Sequence, residues 1–204
     1  RLSWRDNRVI ASNRIDGRGG VHGVAIDPST GNALVSSTGR LAAGMTESRL
    51  PGSAPLTAAK AVSHVTVFSG NATLPRGWKG DVSLGDSARV VVTSPALGEF
   101  MAGGPAIATR ANASGHRVMV LPLPANDQLA VLDGESGALL NTVSLGVLPV
   151  SAVVSADGRT AWVTVFGGAK PASGARAMTQ CCDPRVERVR VDARGLAEAG
   201  NVSR

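Results

Sequence analysis

Three stretches of this chain repeat one pattern, and that repetition limits what the chain can fold into more than any other feature. HGVAIDPSTGNALVSS (22–37), GPAIATRANASGHRVMVLP (104–122) and LPVSAVVSADGRTAWVTV (148–165) each run as an apolar strand, a polar turn and a second apolar strand. The turns centre on Gly31, Gly115 and Gly158. Glycine takes positive φ at little cost, so each stretch predicts a β-hairpin. A second strand–turn–strand motif follows: VTVFSGN (65–71) after the first stretch and LAVLDGESGALLNTVSLG (129–146) after the second. LSWRDNRVIASNRIDG (2–17) opens the chain in that same second phase.

Each complete unit therefore carries four strands. Four-stranded antiparallel sheets repeating every ~40 residues or more are the signature of a β-propeller blade, and the Gly115 to Gly158 step fits that period. A blade is covered on both faces by its neighbours, which lets successive positions be apolar. Ala161, Val163 and Val165 should face one neighbour, and Trp162, Thr164 and Phe166 the other. Ala25, Ala106 and Ala152 suit an innermost strand crowded near an axis. The rival all-β fold is a sandwich, which would need seven or more strands without a regular four-strand unit. The expected fold is all-β, a partial β-propeller of about three to five four-stranded blades. The Gly31 to Gly115 step is about twice the repeat; either a degenerate extra blade around Asp81 to Phe100, where ARVVVTS (88–94) reads as a strand, or a long insertion accounts for it.

The stretch 104–166, above all NDQLAVLDGESGALLNTVSLGVLPVSAVVSADGRTAWVTV, resembles the YVTN-repeat β-propeller family. Its repeat runs as a strand ending in Asp, a turn, a strand, Gly, x-x-Pro, a strand, an Asp-Gly turn and a strand. Residues 2–37 resemble it less closely, and 38–103 and 167–199 hardly at all. The namesake residues are replaced here by VMVL (118–121) and WVTV (162–165). The resemblance implies a propeller and a periplasmic or extracellular location. Some members precede an alkaline-phosphatase-like phosphoesterase domain, so it also leaves room for such a neighbour. It implies no activity for the repeats themselves, because the fold hosts many functions. Arg1 rather than Met opens the chain, with no signal peptide ahead of it, and GNVSR (200–204) is where a second-motif strand would begin again. The expectation is one repeat domain over 1–204, a fragment of a larger propeller.

Composition narrows the function classes. Gly counts 25 and Pro 11, and charged residues make up only 18%, which favours short elements and tight turns over long helices. No apolar run approaches the roughly 20 residues of a membrane-spanning helix. Net charge is +6, yet the arginines are scattered, aromatics are 3% and Tyr is absent. A nucleic-acid footprint would be a basic stripe interleaved with aromatics, so nucleic acid is not an expected partner.

In a four-strand antiparallel unit, the link between strands two and three opens on the same rim as the link between units. The two expected insertions, 39–61 and 167–199, fall at that link, and long loops on a rigid scaffold are where binding usually lives. His22 stands at the start of a unit, where the other copies carry Pro105 and Pro149, and His64 lies just before a strand starting on the same rim. Asn126 and Asp127 are rim positions as well, as is Glu47. These four, His22, His64, Asn126 and Asp127, are the expected binding residues. A divalent metal held by rim carboxylates, Asn or imidazole is the one cofactor with donors to hold it, although no H-x-H or H-x-x-x-H spacing supports it. His116 follows a hairpin glycine on the opposite rim and is assigned no role.

The remaining motifs favour plain readings. Adjacent Cys181 and Cys182 lack zinc spacing and would form only a strained ring disulfide; two loop thiols are the simpler account. GDSAR (85–89) has a serine but no Asp-x-x-His partner and no G-x-S-x-G elbow. DGRGGVHG (16–23) precedes a strand where a phosphate cradle needs a helix N-terminus. No catalytic set converges. The expected function is a binding or scaffolding module for a protein or small-molecule ligand. The alternative is a hydrolase, either a metal-dependent lactonase-like propeller or the accessory part of a phosphoesterase.

Overall fold

The computed structural model describes residues 2–3, 8–9, 18–40, 61–69, 90–98, 102–167, 184–192 and 197–201. Within them the fold is all-β. Fourteen strands run in chain order: β1 (Leu2–Ser3), β2 (Arg8–Val9), β3 (Arg18–Ile26), β4 (Ala33–Arg40), β5 (Ala61–Phe68), β6 (Val90–Thr93) and β7 (Ala106–Ile107). They continue as β8 (Val118–Leu123), β9 (Gln128–Asp133), β10 (Leu139–Ser144), β11 (Pro149–Val154), β12 (Thr160–Val165), β13 (Arg185–Val191) and β14 (Ala197–Asn201). A single 3-10 turn, Pro124–Asn126, links β8 to β9.

β1 and β2 form a two-stranded pair, and the other twelve strands make three four-stranded antiparallel sheets. Each sheet is a meander in sequence order: β3-β4-β5-β6, then β7-β8-β9-β10, then β11-β12-β13-β14. The predicted hairpin glycines supply the turns that make this order local. Gly31, Gly115 and Gly158 hold φ of +73°, +82° and +72°. L-residues with a Cβ rarely enter that region.

The three sheets are stacked through two apolar clusters. Leu34, Val65 and Val67 of the first sheet meet Met119, Leu121, Leu123, Ala130 and Leu132 of the second. Val118, Val120, Leu129 and Val131 on the other face of the second sheet meet Ala152, Ala161, Val163 and Val189 of the third. β8 is therefore buried at every position, which is why VMVLPL shows no alternation of polar and apolar residues. Burying each of these Val or Leu side chains contributes roughly 1.5–3 kcal/mol by transfer from water.

The first strands of the three sheets come close together. Gly104 on the approach to β7 forms a parallel bridge with Ser151 of β11. The Gly104 N–H donates to Val150 O at 2.9 Å, and the Ala152 N–H donates to Gly104 O at 3.3 Å. Gly23 of β3 lies against the same point: a Cβ there would fall 2.7 Å from Gly104 Cα. Ser36 Oγ donates to Gly103 O at 2.6 Å. Ala25 and Ala106, expected on crowded inner strands, pack against the two clusters, and Ala152 is buried between sheets two and three.

The structure departs from the sequence expectations in two places. Val90–Thr93, inside ARVVVTS, is the fourth strand of the first sheet and not the seed of an extra one. The long Gly31 to Gly115 step comes from the connections 41–60 and 70–89, which lie outside the described residues. The segment 167–199 also holds more than a connection: β13 and most of β14 fall in it and complete the third sheet. RVERVRV does alternate, with Glu187, Val189 and Val191 buried and Val186, Arg188 and Arg190 exposed. Its arginines made a strand read as a solvated loop. Gly200 and Asn201 accordingly end β14 and do not open a new unit.

Candidate functional site

The links between strands two and three of every sheet, and the links between sheets, open on one rim. On this rim the described residues form a polar ribbon that crosses all three sheets. It begins at His22 of β3, whose Nε2 lies 2.9 Å from Thr38 Oγ1 on β4. Thr38 pairs in register with Ser63 of β5, and Ser37 pairs with His64. His64 is fully buried, its Nε2 2.8 Å from Ser37 Oγ. The two histidines thus flank β4, each against one of two consecutive hydroxyls. His22 is exposed and His64 is enclosed, so they are placed for different work.

Ser63 carries the ribbon to the second sheet. Its N–H donates to Gly98 O at 2.9 Å, and its carbonyl accepts the Leu97 N–H at 2.8 Å. Gly98 in turn lies under Asn126: a Cβ at 98 would sit 2.4 Å from Asn126 Oδ1. Glycine is needed here for close approach, not for an unusual backbone angle. Asp127 follows in the left-handed region at φ 52° and ends the 3-10 turn. Its Oδ1 accepts the Leu148 N–H at 3.1 Å and its carbonyl accepts the Leu145 N–H at 2.9 Å. Asp127 therefore ties the β8–β9 turn to the link into the third sheet. An Asp or Asn is favoured at such a position because its short polar side chain tolerates αL backbone.

In the third sheet the ribbon ends on Arg185 and Glu187. Glu187 is 4% exposed, and both its oxygens accept the Gly146 N–H at 3.2 Å while Arg185 donates Nε at 2.9 Å. A buried carboxylate needs such partners. Sequence reasoning missed this pair because it treated 167–199 as a loop. The available signal was the period-two alternation of RVERVRV.

A second polar cluster lies at the opposite end of the sheets, on the hairpin turns. Asp27-Pro-Ser-Thr-Gly31 and Asp133-Gly-Glu-Ser-Gly137 share one design. The Asp carbonyl accepts the N–H of the glycine four residues on at 2.8 Å in both, and the Asp side chain accepts from the residues between. Arg117, just before β8, bridges them, its Nη1 donating to Asp27 Oδ2 at 2.5 Å and its Nε to Glu135 Oε1 at 2.6 Å. Burial alone would raise the Asp27 carboxyl, but hydrogen bonds from Ser29, Thr30 and Arg117 outweigh it and hold the pKa at about 2. At Asp133 burial is likewise outweighed, by bonds from Ser136 and Glu135 and by the nearby His116, and its pKa is lowered. His116, given no role from the sequence, sits with Nδ1 2.6 Å from Asp133 Oδ2. The Asp-x-x-x-Gly spacing common to the two turns was the signal for this cluster.

Of the four expected binding residues, His22 lies within β3 and His64 within β5, fully buried and not ahead of the strand, while Asn126 and Asp127 lie on the β8–β9 turn. Among the described residues, no three His, Cys, Asp or Glu side chains are grouped so as to hold a metal ion. Glu47, the GDSAR segment, and Cys181 and Cys182 lie outside the described residues. No described helix is long and apolar enough to cross a membrane.

No protein-family model matches the chain. No curated protein matches it. Among solved structures it is similar to the Kuenenia stuttgartiensis hydrazine synthase, at 13% identity and a TM-score of 0.53. The match covers 94% of this chain and 51% of that one, so the chain spans about half the length of its structural neighbour. A likeness at that identity concerns the fold alone.

Proposed function

We propose that the three sheets are blades of a β-propeller of the YVTN-repeat kind, and that this module binds or scaffolds a protein or small-molecule ligand on the rim of His22, His64, Asn126 and Asp127. The observation that carries this reading is the run of contacts from His22 to Leu148, made of hydrogen bonds and strand pairing on either side of the close approach of Gly98 to Asn126. It sets polar groups from three sheets on one edge of a packed apolar scaffold, the arrangement in which loops most often carry recognition. The parallel bridge Gly104–Ser151 supports the propeller, because first strands of successive blades come side by side only where the sheets converge on an axis. By resemblance the module works in the periplasm or outside the cell, and a phosphoesterase domain is a fitting neighbour in a longer chain.

The competing reading is a hydrolase. Measuring the metal content of the purified chain and its turnover of lactones and phosphate esters separates the two. The binding reading predicts no turnover and no stoichiometric metal. Stoichiometric divalent metal, with turnover abolished by His22→Ala or Asp127→Ala, would replace it with the hydrolase reading.

A further inference from the structure

We draw no further inference here: the strongest candidate, the exposed His116 imidazole seated 2.6 Å from the buried Asp133 carboxylate at the hairpin-turn end of the second sheet, belongs to the turn cluster already described and, among the described residues, is part of no group of three side chains able to hold a metal ion.

Discussion

Arg117 Nη1 meets Asp27 Oδ2 at 2.5 Å and so joins the second sheet to the first hairpin turn. Asp27 is 1% exposed and its carboxylate also accepts from Ser29 and Thr30. Removing Arg117 leaves a buried carboxylate without its counter-charge. Arg117→Ala should destabilise the chain by about 3 kcal/mol, read as a lower urea midpoint at unchanged m-value. Arg117→Lys keeps the charge but not the fork that reaches Asp27 and Glu135 together, and should fall between.

The same carboxylate sets an acid limit. Asp27 is held at about 2 against an ordinary 3.8, so between those values the unfolded chain binds more protons than the folded one. Stability from this group is complete above about pH 4 and is lost as pH falls through about 2, on the order of 2 kcal/mol in all. Unfolding free energy measured from pH 5 to pH 2 should fall accordingly, and the part due to this group should vanish in Asp27→Asn.

Close approach of the inner strands makes one glycine irreplaceable for a reason unrelated to φ. Gly23→Ala would put a methyl 2.7 Å from Gly104 Cα, a backbone atom with no side-chain freedom to yield. The cost should be about 1–3 kcal/mol, as for overpacking. Gly31→Ala has open space around it and only left-handed backbone strain to oppose it, about 1–2 kcal/mol. Thermal melts of the two variants, with a high-resolution structure of Gly23→Ala showing β3 displaced from Gly104, would confirm the distinction.

The middle sheet should be the least tolerant element. Leu121 is fully buried between the first and second sheets, and Leu121→Ala should cost about 2–5 kcal/mol. Thr164 is exposed on β12, and Thr164→Ala should stay within about 0.5 kcal/mol. Denaturant titrations of the pair check this directly.

Much of the fold was legible in the sequence because it was written in short-range terms. The glycines at 31, 115 and 158 announced hairpins, and the parity of Ala161, Val163 and Val165 against Trp162, Thr164 and Phe166 gave the faces of β12 correctly. Residues 185–201 were not legible, since alternate arginines look the same on the open face of an edge-ward sheet as in a solvated loop. The place of Asn126 and Asp127 on the β8–β9 turn followed from strand direction, whereas His22 and His64 lie within strands. The burial of His64 did not, nor did the Arg117–Asp27 pair, 90 residues apart in sequence. Contacts at that separation leave no periodic trace in a single chain.

The central claim is that the first strands of successive sheets lie side by side at a shared axis, and a disulfide between the approach to β7 and β11 tests it most directly. A Cβ built on Gly104 lies 3.7 Å from Ser151 Cβ, close to the ~3.8 Å typical of a disulfide. With Cys181 and Cys182 replaced by serine, Gly104→Cys/Ser151→Cys should oxidise almost completely within one chain and melt at higher temperature than its reduced form. Gly104→Cys/Val153→Cys, with its second cysteine two residues further along β11 on the same face as Ser151, should not. Free thiols at 104 and 151 in a folded protein under oxidising conditions would contradict the account.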